Sequence, residues 1–199
     1  MTFNSIGRRF QLEKIICIGA STGGPKALQK LIPQFSLAFK VPILIAQHMP
    51  PSFTHSLAER LNKQASLSVK EARDGEVVKS GYVYIAPGGF QLEVKKSAKN
   101  IILNVSPNSS KYVHSPSVDV LFRSVSELND YYKVAILLTG MGKDGTKGMR
   151  DLKAKENVTT IAESQESAIV YGMPKSAIEA NLIDEIIHLD DIARRVVNI

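Results

Sequence analysis

Tryptophan is absent from this 199-residue chain, cysteine occurs once, and no apolar run approaches the length of about eighteen residues that a membrane span needs. A single cysteine can build neither an internal disulfide nor a zinc cage. Cys17 lies in the run Ile15-Ile16-Cys17-Ile18, where it reads as a small buried hydrophobe suited to a reducing cytosol. The four histidines are scattered and neither Cys-x-x-Cys nor His-Glu-x-x-His occurs, so no metal and no cofactor is expected. Arg8 and Arg9 are not followed by the apolar stretch of a secretory signal, so membrane insertion is not expected and a cytoplasmic location is. Lys and Arg number 25 against 19 Asp and Glu, a formal charge of +6. The basic residues are spread out, the densest group being Lys95-Lys96 with Lys99 beside an expected hairpin turn. Without clustering or aromatic platforms, nucleic-acid binding is not expected. An acidic protein partner makes better use of the surplus.

What is present is ordinary globular composition, 44% hydrophobic and 22% charged, in a length that suits one domain. Lys14–Gly19, Val41–Gln47, Val134–Thr139 and Thr159–Ala162 are apolar runs expected to be buried strands, three of them very rich in Ile, Leu and Val without polar alternation, as in parallel strands covered on both faces. Ala27, Leu28, Leu31 and Ile32 share one helical face, so Pro25–Ile32 closes a βαβ unit, and Phe53–Leu61 repeats the pattern. Between Glu71 and Val94 an Asp74-Gly75 turn, Val77-Val78 and Tyr82–Ile85 predict antiparallel strands or hairpins beside the main sheet, with Ile101–Val105 as one more. Helices are predicted at Val118–Leu128 with Ser117 as cap, after Pro174 with Ser176 and Glu179 as a capping box, and at Ile192–Val197 capped by Asp190.

The densest chemistry follows the first strand, in Gly19-Ala20-Ser21-Thr22-Gly23-Gly24-Pro25-Lys26. A Walker loop needs glycine directly before lysine and then a hydroxyl, but Pro25 and Ala27 stand in the way. A dinucleotide fingerprint would need glycine at Ser21. Gly-x-Ser-x-Gly does match, and in a strand-to-helix turn it lifts a serine clear of the core beside unpaired helix N–H groups. Alone, the stretch equally fits a glycine turn with a capping serine.

A base is therefore the deciding partner. His188 reads as a structural edge residue, His55 as a surface or capping residue, and His114 as a loop histidine able to reach substrate. His48 instead ends the buried run Val41–Gln47 just before Met49-Pro50-Pro51. Catalytic groups of open parallel sheets gather at such carboxyl ends, and Ser21 stands at the equivalent end of its own strand. A third end, after Val134–Thr139, carries Asp144 in a loop with three glycines. Asp144 would suit a cap for the helix past Thr146, and it would equally hold the His48 tautomer for a Ser21–His48 pair. The chain order Ser, His, Asp differs from that of α/β-hydrolases.

Six stretches together carry a resemblance: Ile18–Pro25 (IGASTGGP), Gln47–Pro50 (QHMP), Tyr84–Gly89 (YIAPGG), Pro116–Val125 (PSVDVLFRSV), Leu138–Gly145 (LTGMGKDG) and Gly172–Pro174 (GMP). The chain resembles the catalytic domain of the chemotaxis protein-glutamate methylesterases, known as CheB. The resemblance implies a doubly wound, mostly parallel α/β sheet with helices on both faces and an adjoining antiparallel hairpin. It implies Ser21 as nucleophile, His48 as base and Asp144 as orienter, with the Thr22 and Met141 N–H groups as the oxyanion hole. It also implies methyl-ester hydrolysis on the glutamates of chemoreceptor cytoplasmic helices, and deamidation of specific receptor glutamines.

Gln91 stands where many members have histidine, and Ser115 where arginine is expected; with His114 they are expected to border the substrate groove. Members carry an amino-terminal receiver domain, whereas here residues 1–13 are expected to be a tail and 14–199 a single catalytic domain, with no receiver domain present. A non-enzymatic adaptor on the same fold is disfavoured by Ser21, His48 and Asp144 all being there. A serine hydrolase of small esters is disfavoured by the resemblance alone.

Overall fold

The computed structural model describes residues 13–107 and 112–199; all but the last residue of the expected tail 1–13 therefore lies outside the described residues. The strands are β1 (Glu13–Ala20), β2 (Ile43–Gln47), β3 (Ser68–Glu71), β4 (Tyr82–Ile85), β5 (Phe90–Ser97), β6 (Asn100–Pro107), β7 (Tyr131–Leu137), β8 (Val158–Glu163) and β9 (Glu185–Ile187). The helices are α1 (Gly24–Leu31), α2 (Phe53–Gln64), α3 (Val118–Ser126), α4 (Thr146–Lys153), α5 (Gly172–Glu179) and α6 (Leu189–Val197). Seven strands form one sheet in the order β3-β4-β2-β1-β7-β8-β9, every pair parallel, and β5 and β6 form an antiparallel hairpin beside it.

The alternation of side chains along each strand explains the two cores. Ile16, Ile18, Ile43, Ile45 and Ile136 meet the apolar faces of α1, α2 and α6. Their neighbours Ile15, Cys17, Leu44, Ala46 and Leu137 meet α3, α4, α5 and the hairpin. Apolar demand on both faces is why these strands read as continuous hydrophobic runs. Cys17 is fully buried and unpaired, and burial pushes its thiol pKa up, which leaves it inert.

Several expectations need correction. Tyr82–Ile85 is no hairpin strand: it joins the main sheet parallel to β2, and Ser68–Glu71, which alternation alone does not mark, pairs with it at the edge. Only Val77 of the expected Val77-Val78 strand bridges, to Ile102 of β6, while the Asp74-Gly75 turn is present with Gly75 at a φ of 73°. The Ser176–Glu179 capping box does not form. Helix α5 starts at Gly172, and Pro174 sits in its first turn, where no N–H is needed. The last helix starts at Leu189 and is capped by His188, whose Nδ1 accepts the Asp190 N–H at 3.3 Å; Asp190 lies inside the first turn. No helix among the described residues is long and apolar enough to cross a membrane.

Candidate active site

Strand order reverses around β1, so the carboxyl ends of β2, β1 and β7 lie side by side, where open α/β sheets place their sites. Backbone hydrogen bonds carry the register one residue beyond the sheet. The His48 N–H donates to the Ala20 carbonyl and the Ser21 N–H to the Thr139 carbonyl, each at 3.0 Å. Two glycines make the turn possible. At Gly19 a Cβ would come within 2.2 Å of Val118 Cγ1, and Gly23 caps α1 with a φ of 86°. The left-handed step thus falls two residues after Ser21, and Ser21 itself is not among the residues with positive φ.

Ser21 Oγ lies 3.1 Å from His48 Nδ1, and His48 Nε2 lies 2.7 Å from Asp144 Oδ2. An ionised carboxylate only accepts, so Nε2 carries the proton of neutral His48 and Nδ1 presents its lone pair to the serine hydroxyl. The His48 and Asp144 side chains are 12% and 7% exposed. Asp144 Oδ2 also accepts the Val118 N–H at 2.7 Å. Its Oδ1 accepts from Ser117 Oγ, the Asp119 N–H and the Gly145 N–H at 2.9, 3.0 and 3.1 Å. Burial works against the charge, but His48 and the N–H groups of Val118 and Asp119 outweigh it and hold the pKa at about 2.

Asp144 therefore does cap a helix, though not the one past Thr146: it caps α3. Ser117 occupies the N-cap position of α3 without capping through its own side chain, and gives its hydroxyl to Asp144 instead. Asp119 supplies the matching acceptor for α4, taking the Gly145 and Gly148 N–H groups at 2.9 and 2.8 Å. Burial pushes its pKa up, with the nearby Asp144 charge adding to the rise. Sequence reasoning passed over Asp119 because an acid in a helix's first turn already has an explanation.

Among the described residues the Thr22 and Met141 N–H groups donate to no protein acceptor, and both lie at the strand ends that carry the serine and the aspartate. The Thr22 carbonyl is held by Thr139 Oγ1 at 2.9 Å. His114 is exposed and stacks its ring on that of His48, with centroids 4.1 Å apart and an interplanar angle of 19°. Gln91 lies beneath that loop and is buried. It donates from Nε2 to the His114 carbonyl at 2.7 Å and accepts the Ser117 N–H at 2.8 Å. The half-buried Ser115 accepts the Gly89 N–H through its carbonyl at 3.0 Å. His55 lies in α2, away from these contacts, with Glu59 and Glu71 about it.

Phe53 at the start of α2, Phe90 at the start of β5, and Val113, Met141 and Ile169 in loops are exposed. A cavity of about 470 Å³, lined by Lys14, Lys40, Lys99 and Tyr131 among others, lies instead at the amino-terminal ends of the strands. Among the described residues no group of three or more His, Cys, Asp and Glu side chains is placed to hold a metal ion.

The sequence pattern of CheB methylesterase matches residues 16–196. The chain belongs to this family. It is 51% identical over 183 residues to a protein-glutamate methylesterase/protein-glutamine glutaminase of Bacillus subtilis, covering 92% of this chain and 51% of that protein. A protein of the same name from Geobacillus kaustophilus is 44% identical over 187 residues, covering 94% of this chain and 54% of that one. The chain thus spans about half the length of the curated relatives it matches. The crystal structure of the Thermotoga maritima CheB methylesterase catalytic domain superposes with a TM-score of 0.89 at 42% identity, covering 94% of this chain and 98% of that one.

Proposed function

We propose that this domain is a cytoplasmic serine hydrolase that removes methyl esters from glutamate side chains on chemoreceptor signalling helices, and that it deamidates specific receptor glutamines at the same site. The observation that carries this reading is the unbroken chain of hydrogen bonds from Ser21 through His48 to Asp144 in a member of the CheB methylesterase family. Ser21 Oγ attacks the side-chain carbonyl while His48 Nδ1 takes its proton, and Asp144, already ionised, stabilises the imidazolium. The oxyanion that forms is taken up by the Thr22 and Met141 N–H groups, which have no protein acceptor of their own among the described residues. His48 then returns the proton to the departing methoxide, and water, activated by the same imidazole, releases glutamate from the acyl-serine.

An open site among exposed apolar side chains suits a side chain presented on another protein's helix better than a small enclosed ester. The charge of +6 favours encounter with an acidic receptor arm. No step calls for a metal, a cofactor or nucleic acid. The test is methanol release from a methylated receptor cytoplasmic fragment, run beside a free glutamate methyl ester. Release from the fragment supports the reading. Binding without release would mark an adaptor, and release from the free ester alone would mark a small-molecule esterase.

A further inference from the structure

We propose that Gln47 is a positioning residue that ties the nucleophile and the base to each other through their backbones. This rests on the reading of Ser21 and His48 given above. Gln47 is the last residue of β2, on the same face as Ile43 and Ile45, and is 1% exposed. Strand alternation asks for an aliphatic side chain there, yet an amide is present. Its Nε2 donates to the Ser21 carbonyl at 2.9 Å and to the His48 carbonyl at 3.0 Å. Two carbonyl acceptors fix which end of the amide is nitrogen, since an oxygen placed there could bond to neither.

The rest of the side chain fits a positioning role better than a stabilising one. Gln47 Oε1 is buried with no hydrogen-bond partner, which costs stability that an aliphatic residue would keep. The oxygen is accommodated because residue 24 is glycine: a Cβ at Gly24 would lie 1.8 Å from it. Gln47 thus occupies the space between the ends of β1 and β2 and the start of α1, beneath the turn that presents Ser21. The backbone contact already joining these ends, His48 N–H to the Ala20 carbonyl, fixes the strands one residue short of the serine. The two bonds from Nε2 extend that link to both catalytic residues, and so set the separation of Ser21 Oγ and His48 Nδ1 without touching either atom. Reaction rates respond steeply to such separations.

The experiment compares wild type, Gln47→Met and Ser21→Ala on two readouts. One is methanol release from the methylated receptor fragment, resolved into kcat and KM. The other is the rate at which a small fluorophosphonate labels Ser21, followed by intact mass. Methionine fills the same volume but donates nothing. Gln47→Met is expected to lower kcat by about a hundredfold with KM unchanged, to slow labelling in parallel, and to unfold at or above the wild-type temperature. A loss caused by poor packing would instead lower the unfolding temperature and would not separate kcat from KM. Should Gln47→Met not fold, Gln47→Asn takes its place; its amide is one methylene too short to reach both carbonyls and is read the same way. Wild-type kcat and labelling in the folded variant overturn the role of Gln47, with Ser21→Ala inactive in the same experiment. If Ser21→Ala itself released methanol, the reading of the nucleophile would fall instead.

Discussion

Asp144 and Asp119 cap helices in exchange: Asp144 accepts the first N–H groups of α3, which contains Asp119, and Asp119 accepts N–H groups at the start of α4, which begins two residues after Asp144. The exchange fixes the loop at Gly140–Gly145 against the start of α3, and with it the carboxylate that faces His48. Asp119→Ala is expected to lose about 1 kcal/mol of stability and to lower kcat, because α4 loses its cap and the Asp144 loop its anchor. Asp119→Asn keeps the Oδ1 acceptor and should stay near wild type in both. Equal damage from the two changes, in melting temperature and methanol release, would mean that charge matters more than the cap.

The depressed pKa of Asp144 links stability to acid. Its ordinary carboxylate pKa is 3.8 and its folded value about 2, so the folded state binds fewer protons than the unfolded one between those values. The stabilisation, of order 2 kcal/mol, is complete above the unfolded pKa and is lost as pH falls from about 4 towards 2. Denaturant melts of wild type and Asp144→Asn should therefore differ in slope over that window, the variant being the less sensitive.

His114 covers one face of the His48 ring without hydrogen bonding to it. A ring stack contributes about 1 kcal/mol beyond burial, so His114→Ala should slow turnover about fivefold by loosening the base. His114→Phe should restore most of the rate. Measured kcat that follows the charge of residue 114 rather than its ring would contradict a packing role.

How much of this was legible in the sequence depended on whether one residue had one explanation. The strands β1, β2 and β7 were plain because burial on both faces leaves their central positions mostly to Ile, Val, Leu and Ala, and β8 followed from its shorter run Thr159–Ala162. Ser21, His48 and Asp144 were legible as polar residues at the ends of such runs. β3 was not, since a four-residue edge strand shows too few positions for a period; β4 was read as the strand Tyr82–Ile85 but placed in a hairpin, because the Asp74-Gly75 turn nearby suggested one. The caps were misread for a related reason. Ser117, Ser176 and Asp190 are the residue types that cap helices, but capping acceptors can come from distant segments, as Asp144 does for α3. Gln47 went unread because it closes a hydrophobic strand, where only the folded structure reveals what its amide holds.

Ester and amide substrates should separate in the first half of the reaction, when the tetrahedral intermediate expels its leaving group to form the same acyl-serine. Methoxide leaves more easily than an amide nitrogen, which the His48 imidazolium must protonate first, so deamidation should be slower and lean harder on Asp144. On matched receptor fragments, one with a glutamate methyl ester and one with glutamine at the same position, Asp144→Asn is expected to depress ammonia release at least as strongly as methanol release. Deamidation at full rate in a variant without esterase activity would require a second set of catalytic groups.

The most direct test of the account is methanol release by Ser21→Ala on the methylated receptor fragment, with circular dichroism and melting temperature showing the fold unchanged. Removing the nucleophile while keeping the turn is expected to lower kcat by about four orders of magnitude or more, with His48→Ala close behind. A folded, pure Ser21→Ala protein that retained more than about one per cent of wild-type turnover would contradict nucleophilic catalysis by Ser21.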